Sequence, residues 1–374
     1  MRILFFCNVS GNFGNATRIS KIYQAVEQLS QDIVFCNLHS SHDSWLKRLT
    51  NRALLVSTFK NLSTRDLSYL KSEAFISMGK EVLDHAVDRF QPDLIFAEET
   101  RTAYMALHND ENIPVVADLH GLITSEYAEN PDEKFSDRHL TRLAEIENKV
   151  CNEAEDILTV SKNMKEYIKR EYGTPEGKIT TVQNGADLRS STARYQSSAR
   201  CIFGGLFTHW EDIDTYLDMA GADSDHDYYL IGSGPLQRHI LQRIKSEKIT
   251  LEFLGSMNKN QALDLFCDMT IGVAPSAQNV TRFVASPVKI YDYMSCGLPI
   301  ITANCGEWAR HVEENKCGFV TPTSDAEAFL DCATKLQDRA TWEEISVNCR
   351  KAIESKFNWS RVLNPIKSVI EKYH

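Results

Sequence analysis

Residues Ala285 to Asn304 read ASPVKIYDYMSCGLPIITAN and set a lysine and an aspartate, Lys289 and Asp292, three positions apart just ahead of an apolar run. On a helix that spacing brings both side chains to one face. Ser286 is a favoured N-cap residue, Pro287 suits the first helical position and Gly297 stops helices readily, so the pattern predicts a helix from about Pro287 to about Cys296. Lys289 then stands in the first turn, where unpaired N–H groups and the positive end of the dipole favour acids and mildly penalise a cation. Two chemistries are open to it. It is either a surface lysine lying along apolar neighbours, or one half of an anion site in which the ammonium and the helix-end amides hold a phosphate together. Asp292 is open in the same way: a plain ion pair with Lys289, or a carboxylate that accepts both hydroxyls of a ribose whose phosphates the lysine holds.

Other stretches carry chemistry-bearing types. VVADLHG puts Asp118 and His120 at the tip of a strand, where a histidine is either structural or functional. SGNFGNA, with Gly11, Gly14 and Asn15, is a glycine-bearing loop that lets backbone approach a ligand or simply turns tightly. It is not a G-x-G-x-x-G fingerprint. LGSM, with Gly255 and Ser256, and GSGP at 232–235 are similar strand-end loops. DSDHD at 223–227 has metal-like D-x-D spacing, but it precedes a strand instead of following one and reads as a solvated turn, so no metal site is expected. The ten cysteines include no C-x-x-C pair and no zinc spacing; Cys7 and Cys36 lie inside apolar runs and read as core residues of a reducing compartment.

The elements that must position these residues follow from periodicity. Short apolar runs alternate with amphipathic stretches throughout, the signature of βα units around parallel sheets. RILFFC, DIVFC, DLIFA, PVVAD, DILTVS and KITTVQ form a first set, and CIFGG, DYYLIG, LEFLG, TIGVA and LPIITA a second. The chain has 374 residues, about twice the usual domain length, and a polar stretch at 188–198 separates the sets. The expected organisation is two doubly wound Rossmann-like domains, 1–190 and 199–355, facing a shared cleft, with a terminal helical segment at 356–374. A net charge of −10 and the lack of any nucleic-acid motif argue against DNA or RNA as partner. No apolar run reaches the roughly 20 residues that span a bilayer, and the expected location is cytoplasmic. Ser44 to Leu62 holds Lys47, Arg48, Arg52 and Lys60 without an acid, together with a helical apolar stripe. It is either an ordinary packed helix or a peripheral contact with the anionic inner membrane face or a lipid-linked acceptor.

SPVKIYDYMSCGLPIIT resembles the signature helix of the retaining nucleotide-sugar glycosyltransferases of the GT-B fold, of the family 4-like type, in the subgroup with S-P-x-K before the acidic residue. ILTVSKNMKEYI, ITTVQNGAD, YYLIGSGPLQ, LEFLGSMNKNQALDLFCDMTIGVAPS, KCGFVTPTSDAEAF and FNWSRV extend the resemblance in order over nearly the whole chain. The resemblance implies that Asp292 binds the ribose, that Lys289 with Ser286 at the helix start holds the diphosphate, and that Gly255 and Ser256 meet the nucleotide base. It also implies that His120 faces the donor sugar and that the last helix crosses back to the first domain; the first loop, with Gly14 and Asn15, is read from its glycines as a further donor contact. Three positions depart from the pattern. Val284 stands where the first glutamate of the family's pair is usual, and Gly205 and Glu211 fall where an arginine and a lysine commonly meet the phosphates.

The implied activity is metal-independent transfer of a sugar from a nucleotide diphosphate sugar, a co-substrate and not a cofactor, to a hydroxyl of a glycan, lipid-linked or protein acceptor. Retention at the anomeric carbon and a place in polysaccharide or glycoconjugate synthesis follow from the same likeness. The alternatives are a non-catalytic partner subunit that binds nucleotide or glycan, and a nucleotide-sugar epimerase.

Overall fold

Every apolar run named above becomes a strand of a parallel sheet, the inner strands β3, β4 and β10 buried along their whole length. The computed structural model describes residues 1–9, 14–30, 32–39, 64–131 and 135–374. They form two units, Met1–Val182 with Leu363–His374, and Gln183–Val362.

In the first unit, β1 (Arg2–Cys7), β2 (Asp32–Asn37), β3 (Leu94–Glu98), β4 (Val115–Leu119), β5 (Asp156–Thr159) and β6 (Ile179–Thr181) lie in the order β2-β1-β3-β4-β5-β6. All neighbours are parallel. Helix α1 (Gly14–Glu27) follows β1 and buries Ile19, Ile22 and Val26 against the sheet core of Ile3, Phe5 and Phe96. The final helix, Asn364–Ile370, adds Ile366, Val369 and Ile370 to the same core. Beyond it, Tyr373 donates its hydroxyl to Asp156 Oδ2 at 2.7 Å. The expected terminal helical segment at 356–374 is divided: Trp359 and Val362 belong to a separate short helix of the second unit, Trp359–Val362.

In the second unit, β7 (Arg200–Leu206), β8 (Asp227–Ser233), β9 (Glu252–Gly255), β10 (Ile271–Ala274), β11 (Ile300–Ala303) and β12 (Gly318–Thr321) lie in the order β12-β11-β10-β7-β8-β9, again all parallel. Strand β12 was not among the expected runs; GFVT is short and only its last residue is buried. The polar stretch 188–198 lies within this unit. Its buried Ala193 donates its N–H to the Cys296 carbonyl at 2.7 Å, which ties the stretch to the end of the signature helix.

All ten cysteines are free thiols, Cys7 buried in β1 and Cys36 half-buried in β2. Gly11 and the basic segment Ser44 to Leu62 lie outside the described residues. Among the described residues no helix is long and apolar enough to cross a membrane.

Because the Ile366 side chain is fully buried against strands far from it in sequence, Ile366→Ala should destabilise the first unit by about 2–5 kcal/mol, the usual range for such a deletion. A urea titration followed by circular dichroism checks this. An unchanged midpoint would mean that the final helix does not hold the sheet.

Candidate functional site

In the second unit the residues marked by the opening motif lie on and around one helix. Three helices build the place: α2 (Lys259–Cys267), α3 (Val280–Val284) and α4 (Val288–Ser295). Helix α4 holds both residues of the opening motif and ends where expected, with Cys296 as C-cap and Gly297 at φ +67°. Its start differs from the expectation. Pro287, with φ −65° and ψ 121°, is the N-cap, and no side chain caps this end. Ser286 is one residue too early to cap; its hydroxyl lies 3.2 Å from the Tyr291 hydroxyl, and its carbonyl accepts from Asn184 Nδ2 at 2.6 Å. The first-turn amides are therefore free of side-chain competition.

Lys289 points neither to solvent nor to Asp292. Its Nζ donates to Glu211 Oε2 at 2.5 Å and stands 4.0 Å from the centre of the Phe203 ring. Gly205 makes room for it: a Cβ there would come within 2.7 Å of Nζ. Glu211 uses its other oxygen, Oε1, to accept from Arg282 at 3.2 Å. Arg282 in turn donates to Ser276 Oγ at 2.9 Å and lies 4.8 Å over the Trp308 ring. The three ionic side chains are at most 10% exposed. Burial alone would raise the Glu211 pKa, yet Arg282 and Lys289 outweigh it and hold the carboxyl below its ordinary value. Burial lowers the Lys289 pKa, because one carboxylate shared with Arg282 does not fully replace the lost water.

Asp292, also buried, pairs with Lys259 of α2 instead of Lys289. Burial pushes its pKa up and Lys259 opposes the shift. Lys259 was not anticipated; it lies in another helix, and only the fold brings it to Asp292. At the end of β9, Gly255 takes φ +72°, a left-handed conformation that glycine tolerates best, with open space where a Cβ would be. The neighbouring Ser256 hydroxyl reaches the Gly232 carbonyl at 3.4 Å, so the LGSM and GSGP loops adjoin. In DSDHD, Asp223 accepts from His226 Nδ1 and the Tyr228 hydroxyl, each at 2.6 Å, and closes a turn before β8.

In the first unit, His120 follows β4 and lies in a buried charge network. Its Nε2 is 3.0 Å from Asp118 Oδ2 and 2.7 Å from Glu98 Oε2. Arg18 of α1, another residue that no motif marked, holds Asp118 through Nε at 3.0 Å and a second nitrogen at 2.6 Å, and donates to the Val182 carbonyl at 2.7 Å. Burial opposes a charge on His120, but the two carboxylates prevail and hold its pKa up to about 10. Burial and the Asp118 charge push Glu98 up to about 7, against the pull of His120 and Arg18. His120 Nδ1 is buried without a hydrogen bond, 3.9 Å from Glu99 Oε1. Gly14 and Asn15 open α1. Glu98, Asp118 and His120 are also spaced as three metal ligands could be, within 4.8 Å of one another, with Arg18 already supplying a cation beside them.

Residues 200–339 match the family model described as "Glycosyl transferases group 1", and residues 65–190 match "Glycosyltransferase Family 4". Spore coat protein SA of Bacillus subtilis is 36% identical over 87 residues, 22% of either chain. A glycosyltransferase of Methanocaldococcus jannaschii is 22% identical over 227 residues, 55% of this chain and 57% of its own. The matches thus span about half or less of the length of these relatives. Among solved structures, sucrose-phosphate synthase from Thermosynechococcus elongatus superposes with a TM-score of 0.78 at 13% identity, covering 100% of this chain and 99% of that one. Anabaena HepE in complex with UDP-glucose gives 0.73 at 14% identity, covering 100% of both.

The protonation of His120 and Glu98 sets a pH dependence. Both groups have pKa values raised above those of the unfolded chain, from 6.5 for the histidine and 4.5 for the glutamate. The stability they contribute is complete below those unfolded values and is lost as pH rises towards about 7 for Glu98 and about 10 for His120. Between pH 7 and pH 9 the folded protein should lose roughly 1 kcal/mol or more through this network, and His120→Asn should flatten the loss. Urea midpoints across that range test it; parallel curves for the two proteins would remove His120 as the titrating group.

Proposed function

The chain belongs to the family 4-like glycosyltransferases of the GT-B fold, and from that premise we propose that it transfers a sugar from a nucleoside diphosphate sugar to an acceptor hydroxyl, with retention at the anomeric carbon, in polysaccharide or glycoconjugate synthesis. The observation that carries this reading is the pairing on α4 of a first-turn lysine, beside amides that no side chain caps, with an aspartate one turn on. Anions are favoured at such a helix end, and a lysine there adds a charge-assisted hydrogen bond. Lys289 is assigned to the diphosphate and Asp292 to the ribose hydroxyls, with Lys259 keeping the Asp292 carboxylate ionised and oriented. The complex of Anabaena HepE with UDP-glucose supports a nucleotide sugar as the donor class.

Retention needs no protein nucleophile if the departing phosphate takes the acceptor proton on the face it leaves. The protein then contributes position and stabilisation of the developing diphosphate charge. Lys289 is the group for that charge, and no metal ion is required by this scheme. In the first unit His120 is assigned to a sugar hydroxyl through Nδ1, the ring nitrogen that has no protein acceptor. The buried contact between Glu211 and Lys289 favours one competing reading, a binding protein without turnover.

A nucleotide-release assay over a panel of nucleotide sugars and acceptors separates the two. Acceptor-dependent release of nucleoside diphosphate is expected, with the donor's anomeric configuration kept in the product by NMR; binding without release across the panel would favour the competing reading. Transfer should survive excess EDTA, and activity lost to EDTA and restored by manganese would overturn metal independence. Lys289→Ala should weaken nucleoside diphosphate binding by about 1.5–3 kcal/mol, the range for a charged hydrogen bond. Unchanged affinity by calorimetry would remove Lys289 from the diphosphate site.

A further inference from the structure

We propose that Glu211 is a resident anion of the diphosphate site, an internal competitor that holds Lys289 until the diphosphate arrives and reclaims it when the nucleotide leaves. The inference rests on the assignment of Lys289 to the diphosphate. It starts from the division of labour in the carboxylate. Oε2 meets Lys289 and Oε1 meets Arg282, so the lysine contact can be exchanged while the arginine contact persists. Arg282 is fixed independently, by Ser276 Oγ and by the Trp308 ring. The turn bearing Glu211 is fixed too: Glu211 N–H donates to the Thr208 carbonyl at 3.1 Å, and the Trp210 carbonyl accepts from Ala277 N–H at 3.0 Å. Exchange is then a swing of one side chain about an anchored backbone.

The surroundings of Nζ force the competition. Phe203 covers one side of the ammonium, Gly205 lies close against another, and Glu211 takes a further direction. A phosphate that reaches Nζ meets a carboxylate already on it. Two cations and one carboxylate leave a single net positive charge, and like charges in a poorly hydrated place repel strongly. Whether Glu211 swings aside or stays, its charge weakens the diphosphate. The same charge helps product leave, since a carboxylate tethered beside Lys289 recaptures it without a diffusional encounter.

The test is calorimetric binding of inorganic pyrophosphate to the full chain, wild type against Glu211→Gln, with Lys289→Ala as the reference and a thermal melt of each protein. Glu211→Gln keeps the shape and removes the charge, and binding about tenfold tighter or more is expected from loss of one adjacent like charge. Glu211→Ser gives the same reading should the glutamine variant not fold. Wild-type binding that Lys289→Ala weakens but neither Glu211 variant strengthens would overturn the competitor and leave the diphosphate site standing. Pyrophosphate that binds none of the proteins would overturn the site itself, and the competitor with it.

Discussion

A cation buried among side chains must have an anion beside it, and that requirement organises the charged cluster around α4 in the second unit. Lys289 and Arg282 both lie where water cannot hydrate them, and the single carboxylate of Glu211 serves both. Removing one partner of such a set strands a charge at a cost of about 3–5 kcal/mol, more than most packing changes contribute. The turn after β7 is therefore constrained to deliver a carboxylate, and Gly205 to leave room for the ammonium. Asp292 obeys the same rule through Lys259, which binds α2 to α4. The two pairs fix α4 on both sides, so its free N-terminal amides are held in place without a capping side chain.

The first unit solves the same problem with a longer chain of charges. Arg18, Asp118, His120 and Glu98 alternate in sign when the imidazole carries its proton and Glu98 has lost its own, and the network is then neutral. Asp118 and His120 fall at the tip of β4 and Glu98 at the end of β3, its hydrogen-bonded neighbour, so the parallel register alone brings them together. Arg18 closes the set from α1 and reaches the Val182 carbonyl, after which the chain enters the second unit.

What the sequence disclosed divides along the same line. Strands β1 to β11, the signature helix and its glycine stop were legible because apolar periodicity and helix punctuation are local signals. Strand β12 was not, being four residues of which three are partly exposed. The cap was misplaced by one residue, because Pro287, expected inside the helix, takes the N-cap position with an extended ψ. Lys289, Asp292 and His120 were marked by type and position, but none of their partners was marked for that role. Glu211 lies 78 residues from Lys289 and 71 from Arg282, Lys259 lies 33 from Asp292, and Arg18 lies 100 from Asp118. Ion pairs across such spans leave no pattern in a single sequence, since either partner alone reads as an ordinary charged residue.

The departures from the family pattern gain meaning once the side chains are placed. In the family pattern an arginine commonly follows the first glycine of the strand equivalent to β7, and here Gly205 stands in its position. The space such a side chain would enter is the one Lys289 Nζ occupies. Lys289, the lysine of the S-P-x-K pattern, thus takes up the room that the missing side chain leaves. The second departure is not compensated in this way. Where a lysine is common, Glu211 puts a negative charge in contact with Lys289, and Arg282 only shares it. Exchanging a lysine for a glutamate changes the local charge by two, and Lys289, which belongs to the pattern in any case, does not offset that. Under the proposed assignment of Lys289 to the diphosphate, such a site leans more heavily on neutral donors, and the uncapped amides of α4 are the neutral donors nearest to Lys289 in the chain.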